Sequence, residues 1–289
     1  MVERIVPLTS AQATVQEQPV AIEHAGQRLA ASYLPAVGPA PPGPRVAALI
    51  LGRRGPHAAH HQAARALAAA GYSALGVDLP GLAMATEGGM GGSLAAVDEA
   101  VAAARAALAA LRQRVAPERV VLLAACAAAR VAAQCAAAEQ ADGLVLLGQR
   151  LPPEARPADL DVFDHLEPFA GSVLVLGAGD TEEQGIEAQA VAASAARWRG
   201  GRPGRHLELA VIDGPRATLP VDGDHTLEPR AYVSVAIDFL LQWLERRYGP
   251  GYPRAWQGPP PGPTAAVAGA REGGVAAWVP LLVAGARLV

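Results

Sequence analysis

Short, unbroken apolar runs recur along this chain with helical repeats between them, and that alternation restricts the architecture more than any single residue does. "RVAALILG" (45–52), "YSALGVD" (72–78), "ERVVLLAA" (118–125), "DGLVLLG" (142–148), "SVLVLGAGD" (172–180) and "HLELAVID" (206–213) have the length and continuous apolar character of buried strands. Helical periodicity fills several of the gaps. "AAHHQAARALAAAG" reads as a helix stopped by Gly71, and from Ser93, a candidate cap, Leu94, Val97, Val101, Ala104, Leu108 and Leu111 repeat at three- and four-residue steps. An alanine-rich helix after residue 126, one around "EAQAVAASAARW" (187–198) and a final one over "EPRAYVSVAIDFLLQWLERR" (228–247) continue the series. Strands apolar on both sides need cover on both faces. The pattern therefore predicts an α/β three-layer sandwich with a mainly parallel sheet and right-handed crossovers.

Ahead of these units, "PVAIEH" and "RLAASYLP" flank Ala25-Gly26 and predict an antiparallel hairpin at the amino-terminal edge of the sheet. Behind them the composition changes. Residues 248–289 are rich in Pro and Gly, and "VAAWVPLLVAGARLV" is short and broken by Pro280. The expected organisation is one α/β domain over 1–247 and a loosely ordered appendage over 248–289, with packing on the domain or on a partner as the alternative.

Charge and cysteine content exclude several function classes. A formal net charge of -3 over 289 residues, with no arginine-rich run, provides no basic face for nucleic acid. The first twenty residues lack an apolar core of signal-peptide length, and no span is long enough to cross a membrane, so a cytoplasmic protein is expected. Cys126 and Cys135 cannot bridge if 127–138 is helical, because nine residues of rise separate them by roughly 13 Å against a limit of roughly 7 Å. His57, His60 and His61 lie close together without a nearby carboxylate or cysteine, which argues for rim or helix-start residues and not a metal site. "GGMGG" (88–92) lacks the Lys-Ser/Thr of a phosphate loop and reads as a flexible connection. No cofactor is expected.

Cys126 occupies the seam between "RVVLLAA" and the alanine-rich helix. Two readings fit the residues alone: a small apolar side chain filling a helix start, or a nucleophile at the carboxyl end of a strand, where ligands of parallel sheets gather. Asp180 ends an apolar strand and its small-residue turn, as either a turn former or a catalytic acid. His225 lies in "VDGDHTLEP" before the last helix, as either a solvated loop residue or a general base.

Strand, turn and helix around Ala124-Ala125-Cys126-Ala127-Ala128 resemble the Gly-x-Ser-x-Gly nucleophile elbow of the α/β-hydrolase superfamily, with cysteine in the nucleophile slot as in its dienelactone-hydrolase-like members. The overall pattern also resembles a poorly characterised bacterial α/β-hydrolase-like family, with "ASYLPA" and "LPGLAMA" as echoes. The likeness covers roughly residues 17–247. It implies the order nucleophile, acid, histidine, met here by Cys126, Asp180 and His225. It also implies an oxyanion hole from the backbone N–H groups of Ala127 and Arg53, the latter in "LGRRGPH", where Leu51 replaces the superfamily's histidine and Gly52 remains. Gly52, Arg54 and His57 would border the substrate, and Arg53 and Arg54 otherwise read as a solvated loop pair. Asp78 in "VDLPG" matches a structural turn. Only a short Pro-rich excursion separates Gly148 from Ser172, so no large lid domain is expected. The function so implied is hydrolysis of a small-molecule ester, thioester or lactone by a Cys-His-Asp triad. Alanines at both elbow glycine positions keep a second function open, a catalytically degenerate scaffold that binds a ligand or partner.

Overall fold

Alternation along each buried strand splits the core into two layers. In a computed structural model describing residues 15–52, 59–79, 94–125, 128–147, 162–178, 206–212, 229–250 and 286–288, Ala47, Leu49 and Leu51 of β3 (Val46–Gly52) join one cluster while Val46, Ala48 and Ile50 join the other. The same division holds in β5 (Arg119–Ala125), where Leu122 faces one layer and Leu123 the other, and both are fully buried. Each such leucine removed from water stabilises the fold by about 1.5–3 kcal/mol, which is why the register of these strands is tightly set.

Nine strands form one sheet in the order β1-β2-β4-β3-β5-β6-β7-β8-β9. The remaining strands are β1 (Gln18–His24), β2 (Gln27–Leu34), β4 (Ser73–Asp78), β6 (Gly143–Leu147), β7 (Ser172–Ala178), β8 (His206–Ile212) and β9 (Ala286–Leu288). From β4 to β8 every pairing is parallel, and the β1–β2, β2–β4 and β8–β9 pairings are antiparallel. The expected hairpin is present, and it turns at Ala25 (φ 49°) and Gly26 (φ 75°). Positive φ at both positions is what a two-residue hairpin with right-handed strand twist requires.

Right-handed crossovers decide where the helices go. The path from β3 to β4 runs toward the hairpin edge, and α1 (Ala59–Ala69) lies on one face. The path from β4 to β5 runs the other way, so α2 (Leu94–Val115) lies on the opposite face, and α3 (Ala129–Ala138) follows it there. The last helix, α4 (Pro229–Tyr248), returns to the α1 face, where Leu240, Trp243 and Leu244 pack with Leu67. The result is the three-layer sandwich that the apolar runs predict.

Local signals end these helices. Gly71 (φ 90°) donates its N–H to the Ala68 carbonyl at 3.2 Å and Tyr72 to Leu67 at 2.9 Å, the paired bonds of a Schellman stop. Helix α2 ends without glycine: Ala116 takes φ 45° and donates to Arg112 at 2.9 Å. Helix α4 ends at Tyr248, with the Gly249 N–H on the Glu245 carbonyl at 2.8 Å. From the segment beyond it, residues 286–288 pair with β8, placing Ala286 opposite Ile212. The helix expected over 187–198, the GGMGG connection and the Ser93 cap lie outside the described residues.

Candidate functional site

Two chain paths diverge from neighbouring strands at one end of the sheet. Leu51 of β3 and Ala124 of β5 are register partners. From β3 the chain passes to α1 on one face, and from β5 it passes to α3 on the other. A crevice at the carboxyl ends of these two strands is the usual ligand position of an open parallel sheet. Gly52, the half-buried last residue of β3, pairs in register with Asp78, and its carbonyl accepts the Leu79 N–H at 3.3 Å. Residues 53–58, directly after Gly52, lie outside the described ones.

Strands β5, β7 and β8 are parallel members of the same sheet, so their last residues, Ala125, Ala178 and Ile212, lie on one edge. In the chain, Cys126 follows Ala125 directly, Asp180 comes two residues after Ala178, and His225 comes between Ile212 and α4. Cys126, Ala127, Asp180, His225, Arg53, Arg54 and His57 themselves lie outside the described residues.

The flanks of the elbow position are described. Ala124 and Ala128, at the two places where the superfamily's elbow carries glycine, are 1% and 3% exposed and both belong to the core layer under α2 and α3. Their methyl groups are thus packed into the fold. Helix α3 has Ala128 (φ −77°, ψ −10°) at its N-cap, whose side chain makes no capping bond, and its first turn holds no acidic residue. The first turns of α1, α2 and α4 hold none either. Four helix amino termini uncompensated by first-turn carboxylates favour negative charge at the ends where these helices begin.

One residue there carries a signal that the sequence reading missed. Arg130, in the first turn of α3, is half-buried; its Nε is fully buried and has no hydrogen-bond partner. A lone arginine in an otherwise apolar stretch from Ala127 to Ala133 is the feature that marks it in the sequence.

The second cysteine behaves differently. Cys135 is a free thiol, 0% exposed in the core, and burial pushes its pKa up to about 12, with Glu139 adding to the rise. A thiol held protonated this strongly is a poor nucleophile at neutral pH. Among the histidines near α1, His61 places Nε2 3.6 Å from Oε2 of Glu17, a carboxylate from a distant part of the chain. No group of three or more metal-ligating side chains occurs among the described residues. No helix among them is long and apolar enough to cross a membrane.

No family model and no curated protein matches the sequence. Solved structures do match its fold. Est1E from Butyrivibrio proteoclasticus superposes with a TM-score of 0.52 at 13% identity, covering 78% of this chain and 97% of its own. An alpha-beta serine hydrolase homologue from Coxiella burnetii gives 0.54 at 14% identity, with 78% and 97% covered. The Pyrococcus furiosus esterase Pf2001 gives 0.52 at 14%, with 80% and 94% covered. These structures match over most of both chains, and the chain has the α/β-hydrolase fold.

Proposed function

We propose that the protein is an acyl hydrolase acting on a small-molecule ester, thioester or lactone, with Cys126 as nucleophile, His225 as general base and acid, and Asp180 as the residue that orients the imidazole. The observation that carries this reading is topological. The strands preceding these residues end on the same sheet edge, in the order nucleophile, acid, histidine. The Pyrococcus furiosus esterase and the serine hydrolase homologue among the structural neighbours support the reaction class.

In this mechanism His225 takes the thiol proton, and the Cys126 sulfur forms a bond to the acyl carbon while the carbonyl π pair moves onto oxygen. The N–H groups of Ala127 and Arg53 donate to that oxyanion. Its collapse breaks the bond to the leaving oxygen, which receives the proton from His225, and leaves a thioester. Water then gives a proton to His225 and its oxygen to the acyl carbon. Departure of the sulfur, reprotonated by the same imidazole, releases the acid. Asp180 accepts the imidazole Nδ1–H throughout and keeps one tautomer. Gly52, Arg54 and His57 border the acyl pocket.

The test is hydrolysis of p-nitrophenyl acetate by wild type and Cys126→Ala, with thermal melting as a check on folding. Loss of at least about a thousandfold in kcat/KM is expected for removal of a nucleophile. Undiminished hydrolysis by a folded Cys126→Ala overturns the reading. A second reading, a non-catalytic scaffold, is favoured by Ala124 and Ala128 at the elbow glycine positions. It gives no Cys126-dependent turnover in the same assay.

A further inference from the structure

The outer strands at the two sides of an open sheet offer unpaired N–H and C=O groups to any other chain, and these two sides are guarded differently. At the hairpin side β1 is blunted by its own residues. His24 and Gln27 flank the two-residue turn as a hydrogen-bonded pair, so by alternation Pro19 belongs to a non-hydrogen-bonded pair and its missing N–H lies on the outer side. Glu23 and Arg28 add an exposed ion pair at 3.6 Å. At the opposite side β8, "HLELAVI", contains no proline, lysine or arginine. Its one carboxylate, Glu208, is turned to α4, where Arg246 holds it at 2.7 Å. The residues of β8 itself do nothing to close its outer side.

What does close it is a strand from far along the chain. Ala286, Arg287 and Leu288 of β9 pair antiparallel with Ile212, Val211 and Ala210, and His206–Leu209 have no strand beside them on that side among the described residues. Helix α4 ends at the amino end of the sheet, with Tyr248 beside Gly143, whereas Ala286 meets β8 at its carboxyl end. Residues 251–285 therefore carry the chain back along a strand length of roughly 20 Å, a small part of their reach. A strand tethered in this way meets its edge at an effective concentration on the order of millimolar, and at lower protein concentrations it outcompetes a strand from another molecule. The competitor best matched to β8 is β8 itself. A two-fold axis at Leu209 sets His206 opposite Ile212, Leu207 opposite Val211 and Glu208 opposite Ala210 of the other copy, so no like charges meet and seven positions pair where β9 fills three.

We propose that residues 286–288 are a built-in cap on β8, and that the surface they cap is a self-association edge. With the cap disabled, a second copy of the chain pairs its β8 antiparallel to the first and joins the two sheets. The inference gives the segment after α4 a role that is independent of any reaction. The test compares full-length wild type with Arg287→Pro/Leu288→Pro by sedimentation velocity between about 1 and 100 µM, below the effective concentration of the tethered strand. Neighbouring residues point their N–H groups to opposite sides, so one of the two prolines removes a bond to β8 in either register. Thermal melting checks that the variant is folded. Wild type is expected to stay monomeric, and the variant to dimerise within this range with slower amide exchange over 206–212 at the high end than at the low end. Excess synthetic peptide VAGARLV, the sequence of residues 283–289, should return the variant to monomer. A folded variant that stays monomeric, a dimer whose 206–212 amides exchange as fast as in the dilute protein, a dimer unaffected by the peptide, or a wild type already dimeric overturns the inference.

Discussion

Leu51 of β3 and Ala124 of β5 are partners across a parallel ladder from which the chain departs to opposite faces of the sheet. The expected oxyanion loop and the expected nucleophile follow these two residues within two positions each, at Arg53 and Cys126. The proposed chemistry is therefore tied to the one place where the sheet's winding reverses.

Cys135 makes an internal control for any thiol experiment. Its pKa is raised to about 12, above the ordinary thiol value, so the native state favours the protonated form. The sign follows directly: this preference costs no stability below about pH 8.5, but as the unfolded thiol ionises above that value stability falls by about 1.4 kcal/mol per pH unit, until the native thiol also ionises. Chemical denaturation at pH 7 and pH 10 should show this loss in wild type, and a smaller one in Cys135→Ala.

Gly143 opens β6 where a side chain has no room. A Cβ there would lie 2.6 Å from the Tyr248 hydroxyl, 3.0 Å from the Trp243 ring and 3.2 Å from Val121. Gly143→Ala is expected to destabilise by about 1–3 kcal/mol, the usual cost of overpacking a core. The Tyr248 hydroxyl is buried with no hydrogen-bond partner among the described residues, and burial raises its pKa. Tyr248→Phe, which removes an unsatisfied polar group without changing shape, should be neutral or stabilising by up to about 1 kcal/mol. Urea melts of the two variants check both signs.

Ala116 ends α2 at φ 45°, a conformation that suits glycine. Relief of the Cβ contact outweighs the extra freedom of the unfolded chain, so Ala116→Gly should raise stability by about 0.5–1 kcal/mol. Equilibrium denaturation of this variant measures it.

These cases mark where sequence patterns were readable. Ala25-Gly26 and Gly71 announce their turns because the required backbone conformations belong to short, local signals. The buried strands announce themselves by continuous apolar runs. Ala116 and Gln140 also take positive φ just beyond the ends of α2 and α3, a helix stop that their residue types, unlike glycine, do not announce. Contacts between distant residues are equally hidden: Glu139 on Arg105 and Arg112 locks α3 to α2, and Glu17 reaches His61, across separations that no periodicity encodes. The buried Arg130 Nε, without a hydrogen-bond partner among the described residues, was hidden for the same reason. The candidate triad is an expectation from chain order alone: the strands before Cys126, Asp180 and His225 end on one edge of the sheet, and the three residues themselves lie outside the described ones.

The most direct measurement is the pH dependence of alkylation at Cys126 in the native protein, resolved from Cys135 by peptide mass analysis. A nucleophile paired with His225 at a helix amino terminus should keep a constant iodoacetamide rate from about pH 8 down to at least about pH 6.5, and His225→Gln should return the midpoint toward about 8.5. Cys135 should stay unmodified until the protein unfolds. A Cys126 rate that falls off below about pH 8.5 in wild type, unaltered by His225→Gln, would contradict the triad and leave the fold without its proposed reaction.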